Sequence, residues 1–66
     1  MPWNVERYPP SMRHLAPPVR DKAIAIANAL LDEGLDEGLA IRIAIAKAKE
    51  WATRRGLSTH DFDAAA

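Results

Sequence analysis

The string Asp32-Glu33-Gly34-Leu35-Asp36-Glu37-Gly38 places four carboxylates within six residues, and closely spaced carboxylate oxygens are what a hard cation such as calcium takes. A calcium loop of the EF-hand kind alternates its oxygen ligands around a glycine and closes on a bidentate glutamate. This string has neither feature. It reads better as a helix junction: Gly34 ends one helix in a left-handed cap, Asp36 caps the next, and Glu37 faces that helix's positive end. Asp32 and Glu33 oppose the dipole of the helix they end and gain nothing from it. A weak, exposed divalent-cation site is all that remains for metal, so the expectation is no metal site and no cofactor.

The second chemistry-bearing group is basic. Residues 42–55 hold five cations and one carboxylate, a net charge opposite to that of residues 32–37. An antiparallel hairpin brings Arg54 and Arg55 near Arg20 and Lys22, with Arg13 close by, and this basic end could face nucleic acid or another anionic partner. The plainer reading is that these cations complement a helix C-terminus and solvate the surface. A DNA-reading helix-turn-helix fits poorly, because the second helix opens Asp-Glu-Gly-Leu-Ala-Ile where polar, non-acidic side chains would be needed. Catalysis has no support: His14 lies on an N-terminal arm and His60 on a C-terminal tail, with no nucleophile, phosphate loop or ligand cluster beside them. No catalytic residue is expected, and the chain reads as a non-enzyme.

The elements that must position these groups are two helices and an arm. Pro2, Pro9, Pro10, Pro17 and Pro18 keep residues 1–16 extended. Ser11 can cap a short helical turn over residues 11–15, and Trp3, Val5, Tyr8, Met12 and Leu15 are too many apolar side chains for a free tail, so the arm is expected to fold back over the helices. The first helix is predicted over residues 17–33, with prolines in its first turn and Gly34 at its end. At the helical repeat Val19, Ala23, Ile26 and Leu30 form its apolar stripe, widened by Ile24, Ala27 and Leu31, with Asp21, Lys22, Asn28, Asp32 and Glu33 opposite. The second is predicted over residues 37–55, from the Asp36 cap to Gly56. Its apolar face is Ile41, Ala44, Ile45, Ala48, Trp51 and Ala52, with Ala40 at the edge. The linker of about three residues makes the pair antiparallel, and Ala40, Ala44, Ala48 and Ala52, four apart, let the helices approach closely. The fold class is therefore all-α, an antiparallel two-helix hairpin with a proline-rich arm. Residues 1–56 form one domain, and residues 57–66 a weakly ordered tail in which Leu57 and Phe62 could dock and Ser58 and Asp61 stand at capping-box spacing.

Leu39 and Ile43 do not fit the apolar face of the second helix; they project from its far side among Lys47, Glu50 and Arg54. Either the arm covers them, or Leu39, Ile43 and Lys47 are an interaction surface that could make a homodimeric four-helix assembly. A chain of 66 residues lies near the lower limit for folding alone, so the arm, a partner or both must add buried area. Nine basic residues balance nine acidic ones, and bulk charge argues for neither nucleic acid nor membrane. The absence of cysteine suits a reducing cytoplasm. No secretory signal is visible, no stretch is apolar enough to span a bilayer, and a cytoplasmic protein without membrane insertion is expected.

The arm and the second helix together resemble the ChaB family of small bacterial proteins. The matching features are Met1-Pro2-Trp3, Tyr8-Pro9-Pro10-Ser11-Met12-Arg13, Leu15 with Pro17, and the ending Ala48-Lys49-Glu50-Trp51-Ala52. The chain looks closer still to short bacterial proteins with a YPxSM[KR]xL arm and an Ala-Ile-x-Ile-Ala-Asn-Ala-Leu-Leu helix, here residues 23–31. The resemblance covers about residues 1–56 and departs from ChaB in a much shorter connection between the helices. It implies a compact helical fold and, by the family's name, regulation of cation transport beside a calcium/proton antiporter; it brings no catalytic residue. The leading expectation is a small non-enzymatic protein-interaction or regulatory module whose partner is a protein. A nucleic-acid-associated accessory protein using the basic end is the alternative, and a ChaB-like cation-transport regulator is a third reading.

Overall fold

A computed structural model describes residues 3–59. A 3₁₀ turn at Pro10–Met12 is followed by helices α1 (Pro17–Asp32) and α2 (Glu37–Arg54), which pack against each other as a hairpin. The described residues hold no strand, and no helix among them is long and apolar enough to cross a membrane.

Each helix begins and ends for a local reason. α1 starts with Pro17 and Pro18, which have no N–H to satisfy and a φ already near the helical value, so its first turn needs no side-chain cap. α2 does need one, and Asp36 supplies it: its carboxylate accepts from the Leu39 N–H at 3.3 Å. Both helices end in the same two-bond motif around a left-handed glycine. At α1, Gly34 (φ 96°) donates to Leu31 O and Leu35 to Leu30 O. At α2, Gly56 (φ 72°) donates to Thr53 O and Leu57 to Ala52 O. The helices are each one residue shorter than expected, because Glu33 and Arg55 act as their C-caps, and the linker is four residues long.

The core is small in an unusual way. Ala40, Ala44, Ala48 and Ala52 are all fully buried, and Ala44, Ala48 and Ala52 belong to the core cluster, with Ala40 beyond it. Facing them, α1 buries Val19, Ala23, Ile24 and Ala27. Ile26, Leu30, Leu31, Ile41, Ile45 and Trp51 are half-buried at the rim. The buried side of α1 is thus turned from the expected stripe toward Ile24 and Asn28, and Asn28, expected on the polar face, is only 2% exposed. The arm explains the turn. Met12 and Leu15 are fully buried against α1 and α2, and Trp3 and Tyr8 pack on the same cluster.

Two details of the arm and one of the tail differ from expectation. The helical turn starts one residue before Ser11, with Pro9 at its N-cap and no side-chain cap, because Pro10 sets φ and has no amide to satisfy; Ser11 is exposed. Val5 does not fold back: Asn4 Oδ1 accepts from the Glu6 and Arg7 N–H groups, Asn4 and Arg7 pair their backbones, and this tight turn holds Val5 65% exposed. Leu57 is 40% exposed instead of docked, while Thr59 O accepts from the Ala16 N–H and ties the end of the hairpin to the start of α1. His60, Asp61, Phe62 and the rest of the tail lie outside the described residues.

Candidate interaction surface

Helical geometry sorts the hairpin into two faces. At about 100° per residue, Ile24, Asn28 and Arg20 leave α1 on one side, and Ile41, Ile45 and Lys49 leave α2 on that side too. The arm lies there. The Asn28 side chain pairs with the backbone of Trp3, and the Arg20 guanidinium lies 4.8 Å from the Tyr8 ring. Lys22 and Ile26 of α1, and Ile43, Lys47 and Trp51 of α2, leave on the opposite side. The Lys22 ammonium, 5.5 Å from the Trp51 ring, ties that correspondence to a contact.

On this second face Leu39 is 41% exposed, Ile43 is half-buried and Lys47 is exposed. The arm does not cover Leu39, because its anchors Met12, Leu15 and Trp3 are all engaged on the other side. The row Leu39, Ile43, Lys47 therefore forms an apolar strip running into a cation, next to Ile26 and Trp51.

The five cations of the basic end separate into different environments. Arg20 is turned inward: its guanidinium donates to Met12 O (3.2 Å), Arg13 O (3.0 Å) and Leu15 O (2.9 Å). It is a clamp on the arm, not a free charge for a ligand. Lys22 and Arg55 each lie against the Trp51 ring, the guanidinium 5.0 Å from it. Arg54 lies 3.8 Å from Glu50 one turn back, an exposed pair of little energetic weight. The Arg13 side chain is exposed on the rim of the arm. Lys22, Arg54 and Arg55 thus share the open end, and Arg20 and Arg13 stand apart from them.

The acidic end holds Asp32, Glu33, Asp36 and Glu37, all exposed. Among the described residues no group of three or more His, Asp or Glu converges as a cation site, and Asp36 is engaged as the α2 cap. The hairpin is consequently charged unlike at its two ends, negative at the loop and positive where the chain enters and leaves.

Two hollows on the arm have no counterpart in the sequence reading. An open cleft of about 590 Å³ is lined by Trp3, Glu6, Arg7, Tyr8, Pro10 and Arg13. A more apolar slot of about 310 Å³ lies between the Asn4–Arg7 turn and α1, against Ile24 and Asn28. Asn4, whose side chain can accept from amides two and three residues on, is the signal that could have located the turn that shapes both. Trp51, expected on the apolar face of α2, packs against the core there and also lies beneath Lys22 and Arg55.

The chain is 56% identical over 63 residues to an uncharacterised protein of Bacillus subtilis, YdaT. That match takes in 96% of this chain and 41% of YdaT, so the chain spans about two fifths of the length of the relative it matches. No family model matches the chain, and no solved structure does.

Proposed function

We propose that this chain is a non-enzymatic, cytoplasmic protein-interaction module that docks a protein partner on the hairpin face bearing Leu39, Ile43 and Lys47. The observation that carries this reading is the exposed Leu39 beside Ile43, on the face away from the arm, in a chain small enough to need every apolar side chain it can bury. The YdaT match supports the word module, since nearly all of this chain corresponds to a minor part of a longer protein. A ChaB-like role in regulating cation transport would be exercised through such a contact, and no residue here is assigned to transport itself.

The nucleic-acid reading rests on Lys22 and Arg55, each lying on the Trp51 ring, and it is weakened by the inward turn of Arg20. Capture from a lysate of the source cell, with and without nuclease, tests the two together. The interaction module predicts retention of one protein that survives nuclease and is lost in Ile43→Lys. Retention that disappears with nuclease, and is indifferent to Ile43→Lys, would transfer the function to the basic end.

A further inference from the structure

The monomer leaves most of its large apolar side chains unfinished. Among the described residues, six of the ten buried apolar ones are alanines, and only Met12, Leu15 and Val19 are larger apolar side chains with no exposure at all. The arm closes one face of the hairpin. Ile41 and Ile45 on the arm's side, and Ile26, Ile43 and Trp51 on the other, are half-buried, and on that other face Leu39 is exposed.

We propose that a second copy of this chain closes that face, packed head to tail about a two-fold axis to make an antiparallel four-helix assembly. This rests on the docking surface proposed above and names its occupant. A two-fold contact requires one patch to complement itself, and the charge distribution meets that requirement in only one orientation. An axis perpendicular to the hairpin lays the acidic end of each copy (Asp32, Glu33, Asp36, Glu37) against the basic end of the other (Lys22, Arg54, Arg55). An axis along the hairpin would set acid against acid and base against base. The chain carries no net charge, so the copies do not repel as wholes. Asp32 and Glu33, which oppose the dipole of the helix they end, acquire a purpose in this arrangement.

The register follows from the spacing along α2. With the axis level with Ile45, Leu39 of one copy lies beside Trp51 of the other, Ile43 beside the Lys47 stem, and Asp36 opposite Arg54. Ile26 of α1, a turn beyond the Lys22 that reaches Trp51, falls near the axis itself. Lys47 covers apolar surface with its methylenes and keeps its ammonium at the rim.

Sedimentation equilibrium and disulfide trapping test this. The wild-type chain is expected at twice its 7.3 kDa mass, dissociating as salt rises because its ends are held by opposite charge. Leu39→Lys and Ile43→Lys are expected to be monomeric with unchanged helical circular dichroism; Leu39 is exposed in the monomer, so its variant cannot fail merely by spoiling the core. The chain has no cysteine of its own, so orientation can be read directly. A mixture of Asp36→Cys and Arg54→Cys is expected to form the mixed disulfide. Leu39→Cys alone is not expected to cross-link, its two copies lying about 18 Å apart along the helix direction. Efficient Leu39→Cys self-linking overturns the head-to-tail orientation, and a wild type that stays monomeric at millimolar concentration overturns the second copy as occupant. If the wild type is monomeric while Ile43→Lys still abolishes capture of a partner protein, the docking surface stands with another occupant; if Ile43→Lys changes neither mass nor capture, both fall.

Discussion

Asn28 and Trp3, 25 residues apart, are bound to each other twice: the Trp3 N–H donates to Asn28 Oδ1 at 3.3 Å, and Asn28 Nδ2 donates to Trp3 O at 3.0 Å. A side-chain amide is well suited to this site, since it offers a donor and an acceptor side by side. The pair does for the arm what a strand neighbour would do, satisfying its backbone while fixing it to α1. Asn28→Ala should cost about 1–3 kcal/mol in urea denaturation, because the part-buried peptide groups of Trp3 lose their partners. Asn28→Asp, which can accept but not donate, should also destabilise. In a Trp51→Phe background the Trp3 emission should shift to the red as the arm loosens. An Asn28→Ala midpoint equal to the parent's would show that the arm is held without this clamp.

Arg20 holds the other end of the arm, donating to three carbonyls across residues 12–15 while lying on Tyr8. A guanidinium can serve several acceptors in one plane, and a lysine ammonium cannot reach them from a single point. Arg20→Ala should lower stability by about 2 kcal/mol, and Arg20→Lys should recover less than half of the loss. Full recovery by lysine would mean that charge alone matters at this position.

The alanine ladder makes a steric prediction. Ala44 and Ala48 are fully buried where α2 meets α1, so Ala44→Leu or Ala48→Leu should overpack the interface at a cost of about 1–3 kcal/mol. In a chain this short each kcal/mol lowers the melting temperature by about 4–8 °C. Ala46→Leu, on the exposed side of the same helix, should change it little. An unaltered melting temperature in Ala48→Leu would remove this helix register.

The loop makes a backbone prediction. Beyond its chain neighbours, no atom of the described residues stands within 4 Å of where a Gly34 Cβ would sit, so the cost of Gly34→Ala comes from φ 96°, about 1–2 kcal/mol. Gly34→Asn should cost less, because asparagine tolerates the left-handed region. Asp36→Ala removes the α2 cap and should cost about 0.5–2 kcal/mol, while Asp36→Asn, which keeps an acceptor, should cost less. Thermal unfolding of the four variants checks the order.

What the chain's local chemistry dictated, the sequence shows almost residue by residue. The two helices, their glycine stops, the Asp36 cap, the proline start of α1 and the alanine ladder all follow from φ preferences, missing amides and helical periodicity, which act within a few residues. The burial of Asn28, the inward turn of Arg20, the exposure of Val5 and the bareness of Leu39 do not. Each depends on the direction from which the arm approaches the hairpin. The prolines make the arm extended without saying which side of α1 it lies on, and a wide apolar stripe accepts it on either edge. Tertiary packing chose the edge with Ile24 and Asn28, because only there could Trp3 find an amide and Met12 and Leu15 a cleft between the helices. That choice left the opposite face, with Ile43 and Leu39, as the surface still open to a partner.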